Sequence, residues 1–305
     1  MGSDGQPSVY LSAISHSLGA KVALPELNDP EVRERLDTLH EQGLRHCRVS
    51  AKPPVTLATE SACATLDRAN RSDVDTIVYC SDTPPHVGRS RDLWDFQLSI
   101  DHPASPGIVV GGSACGNLGP GLAIASSQVR TEGSTVLLVT TDRLTAGTRY
   151  LANGETVLSD GAASCLVGPR PEGPSFALRG LASSVRADAE QSSKSLAVAQ
   201  VTARTIGHAR SRAVDPPSAH NIKLLLTGHY GRAPRAFLAM SAGVAPEHVH
   251  HPRLADVGHC FSADVLIGLA DLLQSDTVAN GELVMLLTAS PRSWSVAIVE
   301  RVEGS

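Results

Sequence analysis

Two hydrophobic rhythms alternate along the chain. Residues 75–80 (DTIVYC), 107–110, 134–141 (STVLLVTT), 221–227 and 282–289 are short runs dense in apolar side chains, the pattern of buried strands. Residues 8–18, 176–186 and 293–302 read as further strands, and 159–167 as a tight turn that re-enters a sheet. Between them lie stretches with helical spacing. In 26–42, Val32, Leu36 and Leu39 share one side; in 56–69, Leu57, Ala58, Ala62, Ala64 and Leu66 make a small apolar face. Residues 93–100, 193–211, 232–242 and 262–273 predict helices, and another runs from Cys115 to Thr131. Ser81-Asp82-Thr83-Pro84-Pro85 closes a strand as a turn, and 246–254 reads as a loop. Regular alternation of strands and helices predicts a layered α/β fold.

The proline-rich segment 169–174 (PRPEGP) is the expected seam between two halves, 1–170 and 171–305. An internal echo supports that division. Ser113-Ala114-Cys115, a helix, Gly133-Ser134 and a strand ending Thr140-Thr141 recur as Gly258-His259-Cys260, a helix, Gly281-Glu282 and a strand ending Thr288-Ala289. The offset is about 145 residues; a single echo of this kind also arises by chance, so patterning alone leaves the duplication open.

Composition narrows the class without naming it. At 305 residues, 42% hydrophobic and 19% charged, the chain can bury a substantial core. A formal charge of −5 gives no general nucleic-acid or membrane surface, so neither partner is expected. The six cysteines, at 47, 63, 80, 115, 165 and 260, show no CxxC and no paired spacing, which predicts a reducing, cytoplasmic setting. No signal pattern and no long apolar span is visible.

The chemistry centres on Gly111-Gly112-Ser113-Ala114-Cys115-Gly116. An apolar strand feeds a glycine turn that puts a thiol at the mouth of a helix, where unpaired N–H groups and the dipole favour a nucleophilic sulfur. Taken alone, the same cysteine also fits a small side chain packing the turn. Glu247-His248-Val249-His250-His251 superficially suggests a metal cluster, but adjacent histidines in a proline-flanked loop lack a further ligand at helical spacing. No metal and no cofactor is therefore expected.

Four ordered motifs resemble the β-ketoacyl-acyl-carrier-protein synthase III branch of the thiolase-fold superfamily. They are Ser113-Ala114-Cys115-Gly116 for its nucleophile, Leu158-Ser159-Asp160-Gly161-Ala162-Ala163-Ser164 for its F/S-G-D-G-A turn, Gly228-His229-Tyr230 for its strand-end histidine, and Gly258-His259-Cys260-Phe261-Ser262 for its G-N-T-S-A loop. The resemblance implies a thiolase-like fold, two pseudo-repeated halves in a five-layered α-β-α-β-α arrangement, and a homodimer. It also implies an acyl carrier protein or acyl-CoA as thioester donor.

The departures from the family pattern carry the functional expectation. His259 stands where ordinary members have Asn, and Asp264 follows five residues later. A carboxylate behind an imidazole favours a base that accepts a proton and is then stabilised as imidazolium. Cys115, His259 and Asp264 are thus expected to act together, with His229 as a donor to the carbonyl or oxyanion. This resembles a diverged acyltransferase subgroup of natural-product pathways such as antibiotic biosynthesis, passing an acyl group from Cys115 to a small-molecule hydroxyl or amine. Decarboxylative condensation with Cys115, His229 and His259 is the alternative; a non-catalytic partner subunit is another. His259 as a mere packing residue and Asp264 as a helix cap also remain open. The family's glycine turn has become Ala289-Ser290-Pro291-Arg292-Ser293-Trp294, which puts Ser290 beside Cys115 as the second oxyanion-hole donor. Arg232 and Arg235, one turn beyond His229, are candidates for docking the carrier or CoA, or are simply solvated.

Overall fold

A computed structural model describes residues 7–83, 89–188, 195–213 and 221–304. Its centre is a ten-stranded mixed sheet that reads as two copies of one five-strand pattern. One copy comprises β1 (Tyr10–Leu18), β4 (Thr76–Cys80), β5 (Gly107–Val110), β6 (Val136–Asp142) and β9 (Gly161–Gly168). The other comprises β10 (Ser175–Val185), β11 (Ile222–Thr227), β12 (Val249–His250), β13 (Leu283–Ala289) and β14 (Ser293–Val302). The spatial orders, β5-β4-β6-β9-β1 and β12-β11-β13-β14-β10, correspond strand for strand. So do the directions: β4 runs parallel to β5 and β6, as β11 does to β12 and β13, and the remaining pairs are antiparallel. The copies meet where β1 and β10 pair at Tyr10↔Ala177, Leu11↔Phe176 and Ser12↔Ser175.

Side-chain alternation on these strands builds the layers. Leu138, Cys165, Leu286 and Val299 turn into one central core, whereas Leu137 and Leu166 turn to one outer side and Met285 and Ile298 to the other. Two helices fill the centre: α5 (Leu118–Glu132) and α9 (Asp264–Leu273), each packed on strands of both copies. On one outside lie α3 (Pro54–Ala69) and α4 (Arg89–Ser99); on the other lie α6 (Ser195–Ser211) and α7 (Arg232–Ala242). The result is the five-layered α-β-α-β-α arrangement of a thiolase-like fold. The apolar runs were strand-like because helices cover both faces of each. Two residues of the expected helix at 193–211 lie outside the described residues, as does the end of the turn at 81–85.

Other expectations are corrected. Residues 26–42 do not form one helix; they break into α1 (Pro30–Arg33) and α2 (Leu36–Glu41) after a 3-10 turn at Leu24–Glu26. Asp29 causes the first break by capping Val32 N–H at 3.3 Å and accepting Arg149 N–H at 2.6 Å, a tertiary tie that outweighs helical spacing. A two-stranded antiparallel sheet of β2 (Ala20–Ala23) and β3 (His46–Val49) was unforeseen, its strands being too short to show a period. The expected loop at 246–254 contains a 3-10 turn at Pro246–His248 and then β12, and α8 (Leu254–Val257) begins at its end. Two further short strands, β7 (Tyr150–Leu151) and β8 (Thr156–Val157), pair beside the site.

Candidate active site

The strand β5 delivers the chain into the thiol turn at the end of the sheet. Gly112 has φ 87°, a left-handed conformation that glycine adopts without strain, and Ala114 follows at φ 49°. Cys115 lies in a single 3-10 turn, Ala114–Gly116, and α5 starts only at Leu118. The thiol therefore precedes the helix by one tight turn rather than occupying its first position. It is half-buried, and the Cys115 N–H makes no hydrogen bond among the described residues.

His259 comes from the equivalent corner of the other copy. Gly258 makes that corner at φ 67°, and a Cβ there would sit 2.8 Å from Val157 O and 2.9 Å from Ser159 Oγ. The backbone of His259 is pinned on both sides: its N–H donates to Val157 O, and its carbonyl accepts from Ser159 N–H, each at 2.8 Å. The adjoining Asp160 is held by Arg149, with Nη1 to Oδ1 at 3.0 Å and Nη2 to Oδ2 at 2.9 Å. The Ser159-Asp160-Gly161 turn is thus the frame that fixes His259, not a second reactive centre.

Within that frame the side chains converge. His259 Nε2 lies 3.0 Å from Cys115 Sγ, and Nδ1 lies 2.5 Å from Asp264 Oδ2. Asp264 Oδ2 also accepts His229 N–H at 2.7 Å, and Oδ1 accepts Cys260 N–H at 2.7 Å. Both carboxylate oxygens are therefore occupied by donors from outside α9, and no side chain caps that helix. The helix-cap role does not describe Asp264. His229 Nδ1 lies 2.7 Å from Gly258 O and 3.2 Å from Asp264 Oδ1, so that nitrogen carries a proton and donates it to the carbonyl.

Electrostatics reinforce the cluster. Burial opposes charge on His259, yet the neighbouring Cys115 sulfur and Asp264 carboxylate outweigh it and push the imidazole up to about 10. Burial alone would raise Asp264; the two histidines prevail and hold it well below the usual carboxylate range. The His259 ring is flanked by Tyr230, with centroids 4.9 Å apart, and by Phe261, at 6.0 Å. Tyr230 is anchored by its hydroxyl, which donates to Ala289 O at 2.7 Å. A cavity of about 540 Å³ opens against Cys115, walled by Leu151, Leu158, Phe237, Phe261 and Trp294.

Two expected placements, those of Ser290 and Arg235, fail. Ser290 lines the cavity, but its N–H donates to Ser293 O at 2.8 Å, within the turn that Pro291 reshapes. It is committed and is not a free oxyanion donor. Arg232 and Arg235 line a separate cavity of about 500 Å³ that shares no lining residue with the one at Cys115. Arg235 is buried, with Nε donating to Gly231 O at 3.2 Å, and the Arg232 side chain reaches Glu41 O at 3.2 Å. A buried guanidinium cannot dock the surface of a carrier protein. His251 lines that same second cavity, where burial, then Arg235, depress it to about 4. Sequence reasoning missed Asp82, Asn117, Tyr230 and Phe261, which contact His259 or the turn that carries Cys115; Asp82 was visible only as a turn residue.

No protein-family model matches the chain, and no curated protein matches it. Solved structures do. ChlB3, described as an acyltransferase, superposes with a TM-score of 0.85 at 15% identity over 98% of this chain and 99% of its own. The 3-oxoacyl-(acyl carrier protein) synthase III, FabH, of Pseudomonas aeruginosa PAO1 gives 0.78 at 15% identity over 97% and 98%. The priming β-ketosynthase of the R1128 polyketide pathway gives 0.76 at 17% over 98% and 97%. The chain shares the fold of these proteins over nearly its whole length.

Proposed function

We propose that the chain is an acyltransferase that loads Cys115 from an acyl carrier protein or CoA thioester and passes the acyl group to a hydroxyl or amine. The observation that carries this reading is His259 bridging Cys115 Sγ at 3.0 Å and Asp264 Oδ2 at 2.5 Å. Cys115 Sγ passes its proton to His259 Nε2, which gives a thiolate beside an imidazolium. The thiolate attacks the donor carbonyl; the tetrahedral oxyanion collapses with loss of the donor thiolate, which takes the proton from His259 Nε2. Acylation removes the sulfur's negative charge, and with it a principal cause of the raised His259 proton affinity. His259 is then neutral and accepts the proton of the incoming hydroxyl or amine as that atom attacks the acyl-cysteine. The second tetrahedral adduct expels the Cys115 thiolate and restores the starting pair.

The apolar cavity suits the acyl group or the donor's aliphatic arm. The similarity in fold to a protein described as an acyltransferase supports the same reading. A homodimer and a cytoplasmic setting belong to the proposal; among the described residues no helix is long and apolar enough to cross a membrane. Intact-protein mass spectrometry against a panel of acyl thioesters tests it. One acyl mass should appear on the parent and be lost in Cys115→Ala. Labelling that persists in that variant, or maps to Cys165 or Cys260, contradicts it.

A further inference from the structure

The backbone donors of the nucleophile turn can be accounted for one by one. Gly112 N–H donates to Asp82 Oδ1 at 2.5 Å, and Ala114 N–H donates to Asp82 Oδ2. Ser113 N–H donates to Asn117 Oδ1 at 3.0 Å. Gly116 N–H donates to Ser113 O at 2.9 Å and Asn117 N–H to Ala114 O at 3.1 Å. From residue 112 to 117, the Cys115 N–H alone is uncommitted among the described residues. It stands between three donors that side chains have taken and two that the backbone has taken.

The carboxylate of Asp82 reaches this turn across 30 residues, from the end of β4. Its own backbone is fastened from behind. Asp142 Oδ1, buried at the end of β6, accepts the N–H groups of Asp82 and Thr83, each at 2.9 Å, and the Thr83 hydroxyl at 3.0 Å. The turn it grips holds Ala114 at φ 49°, a conformation a non-glycine residue keeps only when its surroundings impose it.

We propose that Asp82 and Asn117 are positioning residues, two jaws of a clamp that takes the N–H groups of Gly112, Ser113 and Ala114 and presents that of Cys115 to the developing oxyanion. The clamp rests on the reading of Cys115 as the acyl-bearing residue. It explains how an oxyanion site persists although Ser290 N–H is committed to Ser293 O. Neither residue touches substrate. Asp82 acts through two N–H groups on either side of Ser113, and Asn117 acts through Ser113 itself.

Two reactions of one thiol separate this role from general scaffolding. Acylation by an acyl-N-acetylcysteamine thioester develops an oxyanion; alkylation by iodoacetamide displaces iodide and develops none. In Asp82→Asn the amide offers one acceptor oxygen and turns an NH2 toward the second N–H donor. Acylation of Cys115 should fall about 10- to 100-fold while its alkylation stays within about threefold of the parent. Asn117→Ala should behave alike, and Asn117→Asp, which keeps an acceptor for Ser113 N–H, should restore acylation. Acylation of Asp82→Asn at the parental rate overturns the clamp. So does a parallel fall of both reactions, or failure of both Asp82→Asn and Asn117→Ala to fold, since each marks a general structural role. No labelling of the parent by any thioester instead defeats the acyltransferase reading, and the clamp falls with it.

Discussion

His259 and Asp264 are five residues apart, and the 3-10 turn at Phe261–Ala263 brings the carboxylate back to within 2.5 Å of the imidazole Nδ1. Phe261 sits at φ 51° in that turn, and the backbone N–H of Cys260 is held by the same carboxylate at 2.7 Å. One buried Asp thereby sets the orientation of the His259 ring, the loop that carries it and the backbone of His229. A charge buried so deeply persists because the carboxylate accepts three hydrogen bonds, from His259 Nδ1 and from the N–H groups of His229 and Cys260.

The share of Cys115 in the proton affinity of His259 is measurable. Burial lowers that affinity, while Cys115 and Asp264 raise it to about 10, against an ordinary value of 6.5. The raised value contributes stability that is fully present below 6.5 and is lost as pH rises through about 10. Cys115→Ala removes one of the two raising charges and leaves burial intact. Titration of the His259 ring by nitrogen-15 NMR should show its midpoint moving down in the variant. An unmoved midpoint means that Cys115 holds no charge beside the ring and that the resting ion pair does not exist.

Much of this was legible in sequence, for a physical reason. Strands covered on both faces leave uninterrupted apolar runs, so β4, β6 and β13 stand out. Cys115, His229 and His259 lie beside glycines, at Gly116, Gly228 and Gly258, that mark sharp corners in the sequence. The failures share a different cause. Asp29 breaks the helical run at 26–42 through bonds to Thr148 and Arg149, more than a hundred residues away. Asp82 grips the nucleophile turn from 30 residues upstream, and Arg235 is buried by packing that its own helix does not reveal. Ser290 looked free because no pattern in Ala289-Ser290-Pro291-Arg292-Ser293-Trp294 says that its N–H closes a turn on Ser293. Contacts between distant segments, and the closure of a single tight turn, leave no period to read.

Carbon dioxide should not be released during turnover. Decarboxylative condensation requires two donors on the thioester carbonyl, to hold the enolate left behind. His229 Nδ1 is committed to Gly258 O at 2.7 Å and is not available to the thioester carbonyl. His259 Nε2 faces the sulfur. With a malonyl thioester labelled at the free carboxyl, the label should remain in the protein or its acyl product. Stoichiometric labelled carbon dioxide with a β-ketoacyl product would establish condensation instead.

His259 and Asp264 should govern the second half-reaction more than the first. Loading needs a thiolate and an oxyanion donor, and the thiol turn supplies the free Cys115 N–H without help from either residue. Transfer differs, because an alcohol is protonated at neutral pH and needs a base within hydrogen-bond reach. Without the carboxylate, His259 loses its fixed tautomer and the charge that balances an imidazolium. Removing a base or its orienting carboxylate should slow transfer on the order of 10²- to 10⁴-fold. His259→Ala and Asp264→Asn should therefore accumulate acyl-Cys115 while delivery to the acceptor collapses, and the double variant should be little worse than His259→Ala. Asp264→Asn also turns an amide NH2 toward donors now satisfied by a carboxylate, so it should lose about 1–3 kcal/mol of stability, and chemical denaturation must accompany the kinetics. Single-turnover mass spectrometry separates loading from transfer. If folded Asp264→Asn transfers at the parental rate, the carboxylate only braces the loop and His259 needs no partner.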